Sequence, residues 1–168
     1  MIFGDPKSPT FSVSKHDNFN TPKEAFELLF HNMLDSATSN IIWFPFWNDG
    51  SLIECIKSLR LNIIHENKNF FEYEPDNYDI IVDNPPFSCK REIIERCLTL
   101  NKPFALLVPL ETIERTYLTE KLKQNMQILI PRRRYNFTDN TKKRAPFKSV
   151  WLTFKMPMKS TEKLIFES

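Results

Sequence analysis

Short, fully apolar segments that alternate with amphipathic helical stretches are the sequence feature that most restricts the fold of this chain. Residues 80–82 and 104–110 contain no polar side chain, as expected for strands that are buried on both faces. Between them, residues 89–100 repeat apolar side chains at helical spacing. Strands and helices that alternate in this way predict an α/β fold, with a mostly parallel central sheet and helices on both faces.

The same periodicity predicts an ordered series of helices and strands. Helices are expected over residues 22–33, 51–60, 89–100 and 111–125, and strands over residues 41–46, 61–66, 78–84, 104–110, 127–131 and 149–156. Thr21, Ser51 and Ser88 precede helices and are residue types that cap them, and Pro22 suits a first helical position. The last two strands are expected to form an antiparallel hairpin. Residues 66–78 are too few for a helix and a strand, so a trimmed Rossmann-like sheet is predicted.

Length and composition predict one domain without a membrane segment. A chain of 168 residues with 41% hydrophobic residues can bury a core. We expect an N-terminal arm over residues 1–20 and a single domain over residues 21–168. The longest apolar run, residues 104–110, is too short to cross a bilayer, and the first residues do not resemble a signal peptide. Cys55, Cys89 and Cys97 are odd in number and form no CxxC pair, so reduced thiols, no metal site and a cytoplasmic location are expected.

Charge is distributed unevenly behind a net value of +2. Residues 1–120 contain 11 Lys and Arg against 18 Asp and Glu (−7), whereas residues 121–168 contain 12 against 3 (+9). A basic end on an acidic body is typical of a surface that contacts nucleic acid.

Most of this positive charge lies in a basic hairpin loop, residues 131–148. Seven Lys and Arg side chains share the loop with one acid, Asp139, and with three aromatic residues. Cations suit a phosphate backbone and aromatic rings suit unstacked bases, although a solvated hairpin tip is the alternative. The residues predicted to bind nucleic acid are Arg132, Arg133, Arg134, Tyr135, Lys142, Lys143 and Arg144.

The predicted strand ends carry the candidate site. In an open α/β sheet, ligands bind beyond the carboxyl ends of the strands. Glu66 follows the second predicted strand, where an acidic group can accept the ribose hydroxyls of a nucleoside cofactor. A merely exposed carboxylate is the alternative interpretation of Glu66.

The third predicted strand ends at Asn84-Pro85-Pro86-Phe87. The prolines stop the strand and favour an extended conformation at Asn84. The Asn84 amide oxygen and the Pro85 carbonyl are two acceptors, and Phe87 adds an aromatic face. An exocyclic amino group on a planar base needs this combination of acceptors and a stacking surface. A proline-terminated strand that leads into a helix is the structural alternative.

The Asn-Pro-Pro-Phe segment resembles the catalytic motif of amino-methyltransferases that use S-adenosylmethionine, above all N6-adenine methyltransferases of DNA and RNA. The resemblance covers about residues 15–156. It implies a class I methyltransferase fold, S-adenosylmethionine as the cofactor, and transfer of its methyl group to adenine N6 in DNA or RNA. The implied catalytic residues are Asn84, Pro85, Pro86 and Phe87.

The resemblance also implies a set of cofactor-binding residues. The family generally places a glycine-rich turn after the first strand. Here only Gly50 remains, beside a Pro-Phe pair and a downstream acid similar to those of phage-type members, so a phage or virus origin would fit. An Asp-Phe-Phe segment of the family is matched by residues 69–71, and a Phe-x-Thr-Pro segment by residues 19–22. The implied cofactor-binding residues are Phe19, Asn20, Thr21, Pro45, Phe46, Asp49, Glu66, Asn69, Phe70 and Asn84.

Two alternative functions remain open at this point. Bulky side chains after the first strand could fill the cofactor pocket, which would make the chain a catalytically inactive nucleic-acid-binding or scaffold subunit. Related motifs also serve guanine-N2 and glutamine-amide methylation, although the basic loop favours nucleic acid over protein. The sequence has no room for a separate target-recognition domain, so target choice is of low specificity, is made by the loop or comes from a protein partner.

Overall fold

The computed structural model describes residues 21–47, 50–115, 118, 120–137 and 147–168, apart from the side chains of Thr38 and Lys121. The α-helices are α1 (Lys23–His31), α2 (Leu52–Ile56), α3 (Lys90–Leu100) and α4 (Glu120–Asn125). Single 3₁₀ turns cover Asp35–Ser39, Lys57–Leu59, Phe87–Cys89 and Leu110–Glu114. The strands are β1 (Ile41–Trp43), β2 (Asn62–Ile64), β3 (Ile80–Asp83), β4 (Phe104–Pro109), β5 (Met126–Ile130), β6 (Ser149–Phe154) and β7 (Leu164–Phe166).

All the described strands belong to one sheet with the order β2-β1-β3-β4-β6-β5-β7. Strands β1 to β4 are parallel to one another, and β6 lies antiparallel between β4 and β5. This arrangement confirms the predicted mostly parallel sheet with its antiparallel hairpin. Strand β7, which pairs parallel with β5, was not predicted, because three residues are too few to establish an alternating pattern.

The sheet is covered on both faces, and neighbouring residues of each central strand face opposite layers. Ile80 and Val82 pack with α1 and α2, whereas Ile81 packs with α3 and α4. This alternation explains why residues 80–82 of β3 and all of β4 are apolar. Helix α1 is fixed to β6 by a hydrogen bond of 2.9 Å from Trp151 Nε1 to the Ala25 carbonyl.

Two predicted helix starts need correction, and at a third the expected side-chain capping bond is absent. Helix α1 has Pro22 at its cap, so Thr21 lies one residue too early, and the Pro22 carbonyl accepts from Ala25 N–H at 3.0 Å. Ser51 precedes α2 in a helical conformation, without a side-chain capping bond. Ser88 falls inside the 3₁₀ turn that leads into α3. None of these three helices begins with a side-chain capping hydrogen bond.

The predicted helix over residues 111–125 is also wrong. A 3₁₀ turn ends at Glu114, Arg115 is extended, and α4 begins only at Glu120. Ile113 and Leu118 both pack into the same core cluster, although five residues along a continuous helix would point them about 140° apart. Breaking the helix allows both side chains to reach the core. Strand β1 is likewise shorter than predicted, since Pro45 cannot extend the hydrogen-bond ladder.

Candidate active site

The carboxyl ends of β2, β1 and β3 lie side by side, because these strands are parallel neighbours. The chain continues from β1 to β2, which pairs with one edge of β1, whereas β3 pairs with the opposite edge of β1. A topological switch point therefore lies between β1 and β3. Ligands bind at such points in open α/β sheets. The three segments that follow these strands, residues 44–47, 65–66 and 84–87, therefore meet at one edge, as the sequence predicted.

Asn84 brings an unpaired amide oxygen to this edge. Its side chain is only 6% exposed, and Oδ1 has no hydrogen-bond donor within the described part of the structure. A buried acceptor without a partner costs about 1–3 kcal/mol. Such an atom is suited to accept a hydrogen bond from a molecule that binds at this edge.

The residues after Asn84 are at least half-buried, and one of them packs against the end of the basic hairpin loop. Pro85 is buried, and Pro86 and Phe87 are half-buried. The ring of Phe87 packs edge-on against Phe147, with 5.1 Å between the centroids. This contact joins the Asn-Pro-Pro-Phe segment to the end of the basic hairpin loop.

Asp83, which was not among the predicted site residues, is the buried ionisable group of the site. Its side chain is 1% exposed. Oδ2 accepts from Phe46 N–H at 2.7 Å and Oδ1 accepts from Asn84 N–H at 2.8 Å. Burial raises the pKa of this carboxyl to about 8, although the two N–H donors oppose the rise. A carboxylate in an otherwise apolar strand was the only sequence signal of this arrangement.

Aromatic side chains surround the loop after β1. Pro45 is buried, and the rings of Phe46 and Phe70 lie 5.2 Å apart with exposures of 8% and 4%. Both rings are buried in the core, so only a small part of each is exposed for the predicted contact with the cofactor. Trp47 stacks on His65 at 4.8 Å.

His65 is itself tied to the loop. Its Nδ1 donates to the Phe44 carbonyl at 3.0 Å, because a carbonyl oxygen can only accept a hydrogen bond. The other nitrogen, Nε2, is buried and has no partner in the described part of the chain. The stacked pair of Trp47 and His65 therefore lies after β1, at the position where the methyltransferases that the sequence resembles generally have a glycine-rich turn.

The carboxylate of Glu66 is exposed and keeps a single described contact. Its Oε2 accepts from the Tyr73 hydroxyl at 2.6 Å, which raises the pKa of Tyr73. Asn69, predicted to lie near the cofactor, accepts from Phe71 N–H through its side chain and organises the following turn. Glu66 therefore has one carboxylate oxygen available beyond the end of β2.

The described part of the basic loop divides into an exposed and a buried set. Arg132, Arg133 and Arg134 are exposed, as a nucleic-acid surface requires. Tyr135 is only 7% exposed and packs in the core, and burial raises its pKa. Its ring is therefore not available to stack on a base, which corrects the prediction.

Several predicted site residues lie outside the described residues. They are Phe19, Asn20, Asp49, Lys142, Lys143 and Arg144. Thr21, at the border, is half-buried, and its carbonyl accepts from the Cys55 thiol at 3.6 Å. Its predicted contact with a cofactor stays a prediction.

The described ranges contain neither a cluster of metal ligands nor a helix that could span a membrane. No three His, Cys, Asp or Glu side chains converge there in the manner of metal ligands. Nor does any helix in those ranges combine the length and apolarity needed to cross a membrane. All three cysteines are free thiols.

Comparisons with known proteins bear on the fold. No protein-family model and no curated protein matches the sequence. Solved structures do match: a dimethyladenosine transferase from Plasmodium falciparum (TM-score 0.51, 11% identity, 83% of this chain covered), the 23S rRNA methyltransferase ErmE (0.52, 15%, 89%) and a candidate class I S-adenosylmethionine-dependent methyltransferase from Listeria monocytogenes (0.52, 12%, 87%). The chain spans 62%, 72% and 64% of their respective lengths. Together with the strand order, these similarities show that the chain has the Rossmann-like class I methyltransferase fold.

Proposed function

We propose that this chain transfers a methyl group from S-adenosylmethionine to the N6 amino group of adenine in a nucleic acid. The observation that carries the proposal is the buried, unpaired Oδ1 of Asn84 at the switch point of the sheet. An exocyclic amino group is a donor that would satisfy it. The Asn-Pro-Pro-Phe segment supplies the second acceptor and the aromatic ring in the same loop.

The residues around the switch point fit the cofactor. Glu66 follows β2 and has an oxygen that is not used by Tyr73, so it suits the ribose hydroxyls of a nucleoside. Backbone groups of residues 45–47 border the same edge. When bound, S-adenosylmethionine supplies an electrophilic methyl group on its sulfonium. The methyltransferases among the similar solved structures support this assignment.

The protein's part in the reaction is to orient and polarise the amino group of the base. Asn84 Oδ1 and the Pro85 carbonyl would accept its two hydrogens, which directs the nitrogen lone pair out of the plane of the base. The same acceptors stabilise the positive charge that develops on nitrogen during transfer. Phe87 would stack on the base after it leaves its neighbours. The chemistry therefore relies on positioning and needs no strong general base.

Three exposed arginines support a nucleic-acid substrate. Arg132, Arg133 and Arg134 follow β5 on the same hairpin that brings Phe147 to Phe87. Phosphate contacts here would orient a strand beside the site. The names of two similar structures, a dimethyladenosine transferase and a 23S rRNA methyltransferase, favour RNA as the substrate.

The test has two stages. Calorimetric titration with S-adenosylhomocysteine is expected to show binding that Glu66→Ala weakens. Labelled S-adenosylmethionine is then incubated with mixed RNA and DNA oligonucleotides, and the product nucleosides are identified. Detection of N6-methyladenosine would support the proposal. Detection of N2-methylguanosine or of labelled protein would instead identify guanine N2 or a protein side chain as the methyl acceptor.

Asn84→Ala is the matched variant for the acceptor site. We expect it to reduce transfer by about a hundredfold or more, because removing one transition-state donor or acceptor costs that much in other enzymes. Affinity for S-adenosylhomocysteine should change little. Full activity of Asn84→Ala would rule out the mechanism.

One observation favours a second function, that of a catalytically silent nucleic-acid-binding subunit. Phe46, Phe70 and Trp47 crowd the loop after β1 with aromatic contacts. If the folded protein binds oligonucleotides but not S-adenosylhomocysteine, this second function is the correct one.

A further inference from the structure

Asp83 connects the two loops that any methyl transfer at this edge would have to align. One carboxylate oxygen accepts from Phe46 N–H, in the loop after β1, and the other accepts from Asn84 N–H, in the loop after β3. The two loops are separated by 37 residues in sequence. A single side chain thus holds the backbone of both.

The proposed reaction depends on this alignment. The loop after β1 borders the cofactor region, and Asn84 would hold the acceptor amino group. Methyl transfer requires the reacting atoms to approach within about 3–3.5 Å and in line. A shift of one loop against the other by about 1 Å can lower the rate by about a hundredfold.

A second aspartate at the opposite end of β3 shows that strand pairing alone does not require a buried carboxylate. Asp79 Oδ2 accepts from Ile41 N–H at 2.8 Å and so also joins β3 to β1. Asp79 is exposed, however, and keeps its hydration. Asp83 joins the same two strands at their carboxyl ends from a buried position, at the cost of removing a carboxyl group from water. The difference between the two aspartates is their position relative to the candidate site.

We propose that Asp83 is a positioning residue that fixes the loop after β1 and Asn84 relative to each other, so that methyl donor and acceptor are aligned. The inference rests on the proposed function. It assigns to Asp83 no contact with the substrate. Its effect is exerted through the backbone of Phe46 and Asn84.

The test compares Asp83→Asn with Asp79→Asn. An asparagine at position 83 turns an NH₂ group toward one of the two backbone N–H groups, so only one bond survives. We expect Asp83→Asn to lower kcat by about a hundredfold, with the KM for an adenine-containing oligonucleotide changed less than about threefold. Asp79→Asn should leave kcat within about twofold of the wild type. Equal kcat values for the two variants would overturn the inference, as would a loss confined to KM.

A measurement on the wild-type protein covers the case in which Asp83→Asn does not fold. In ¹⁵N-labelled protein, S-adenosylhomocysteine should shift the amide resonances of Phe46 and Asn84 along the same titration curve. A shift of Phe46 alone, or of neither, while calorimetry shows binding would overturn the inference. If the wild type neither binds S-adenosylhomocysteine nor transfers methyl groups, the proposed function itself fails, and that failure is distinguishable from the failure of the inference on Asp83.

Discussion

Asp83 and Asn84 are adjacent polar residues that are buried in different ways. Both oxygens of Asp83 have N–H partners, whereas Oδ1 of Asn84 has none among the described residues. A fully bonded buried group fixes the local backbone, and an unpaired one is suited to a ligand. The sequence predicts the role of Asn84, because its loop chemistry is local. It does not predict the bond from Asp83 to Phe46, because that contact depends on the pairing of β1 with β3.

At the residue scale, Asp83 should make stability depend on pH. Its pKa is about 8 in the folded protein, against 3.8 for an ordinary aspartate. Between these values the folded state keeps a proton that the unfolded state has lost, so this contribution to the free energy of unfolding falls as pH rises. Urea midpoints measured from about pH 5 to pH 8 should fall more steeply for the wild type than for Asp83→Asn. Parallel curves for the two proteins would contradict this expectation.

Gly50 provides a second prediction at the residue scale. It has φ +77°, and a Cβ there would lie 2.9 Å from the ring of Trp47. Gly50→Ala should cost at least about 1–2 kcal/mol of unfolding free energy, because a left-handed conformation is unfavourable for alanine. It should also change the fluorescence of Trp47 by displacing the indole from His65. In the double variant with Trp47→Phe, the part due to the steric clash should disappear, and strictly additive effects would contradict the contact.

At the element scale, the packing of α1 against β6 holds this helix on its face of the sheet. Phe26 contacts both Trp151 and Phe44 in this layer, with centroid distances of 5.7 Å and 6.0 Å. The hydrogen bond from Trp151 to Ala25 adds a directional contact to this apolar packing. Helix α1 is therefore positioned by β6 and also by Phe44, the residue that follows β1.

Trp151→Phe tests this contact between elements. It removes the indole N–H and leaves a small cavity, so we expect a loss of about 2–3 kcal/mol in the free energy of unfolding. Trp47→Phe is the matched control, since Trp47 is 37% exposed and the same replacement there should cost less than about 1 kcal/mol. Equal denaturation midpoints for the two variants would mean that the bond to Ala25 contributes little.

Elements with a strong local pattern were predicted correctly, and those decided by tertiary contacts were not. Residues 80–82 of β3 and all of β4 are apolar and buried, and α3 shows a clear helical stripe, so the existence of these elements follows from the sequence. The helix over residues 111–125 was wrong because Ile113 and Leu118 both reach one core cluster. The burial of Tyr135 was also missed, because neighbouring arginines dominated the local pattern.

At the scale of the whole molecule, the basic C-terminal portion is the property most directly open to measurement. Arg132, Arg133 and Arg134 are exposed after β5, on the hairpin whose Phe147 contacts Phe87. Each cation that neutralises a phosphate contributes about one to the slope of log affinity against log salt concentration. Replacing all three arginines with alanine should therefore reduce that slope by up to about three and weaken oligonucleotide binding at low salt.

The control for this variant carries the same change in net charge. Lys57, Lys123 and Lys159 each pair with a carboxylate away from the arginines. Their replacement with alanine should leave the salt slope within about one of the wild-type value. A similar loss of slope in both triple variants would assign the effect to overall charge and not to a binding surface.

The strand order also determines when the molecule can fold. Strands β4 and β5 are not neighbours, and β6, formed by Ser149–Phe154, lies between them. Until residues 149–154 leave the ribosome, no strand connects β5 to the sheet formed by β1 to β4. Over the same period, the edge of β4 that pairs with β6 in the folded protein is open to pairing with other chains. Contacts of high sequence separation also form slowly. Completion of the sheet therefore waits for residues 149–154, and nascent chains that stop before residue 149 should depend on chaperones to remain free of aggregation.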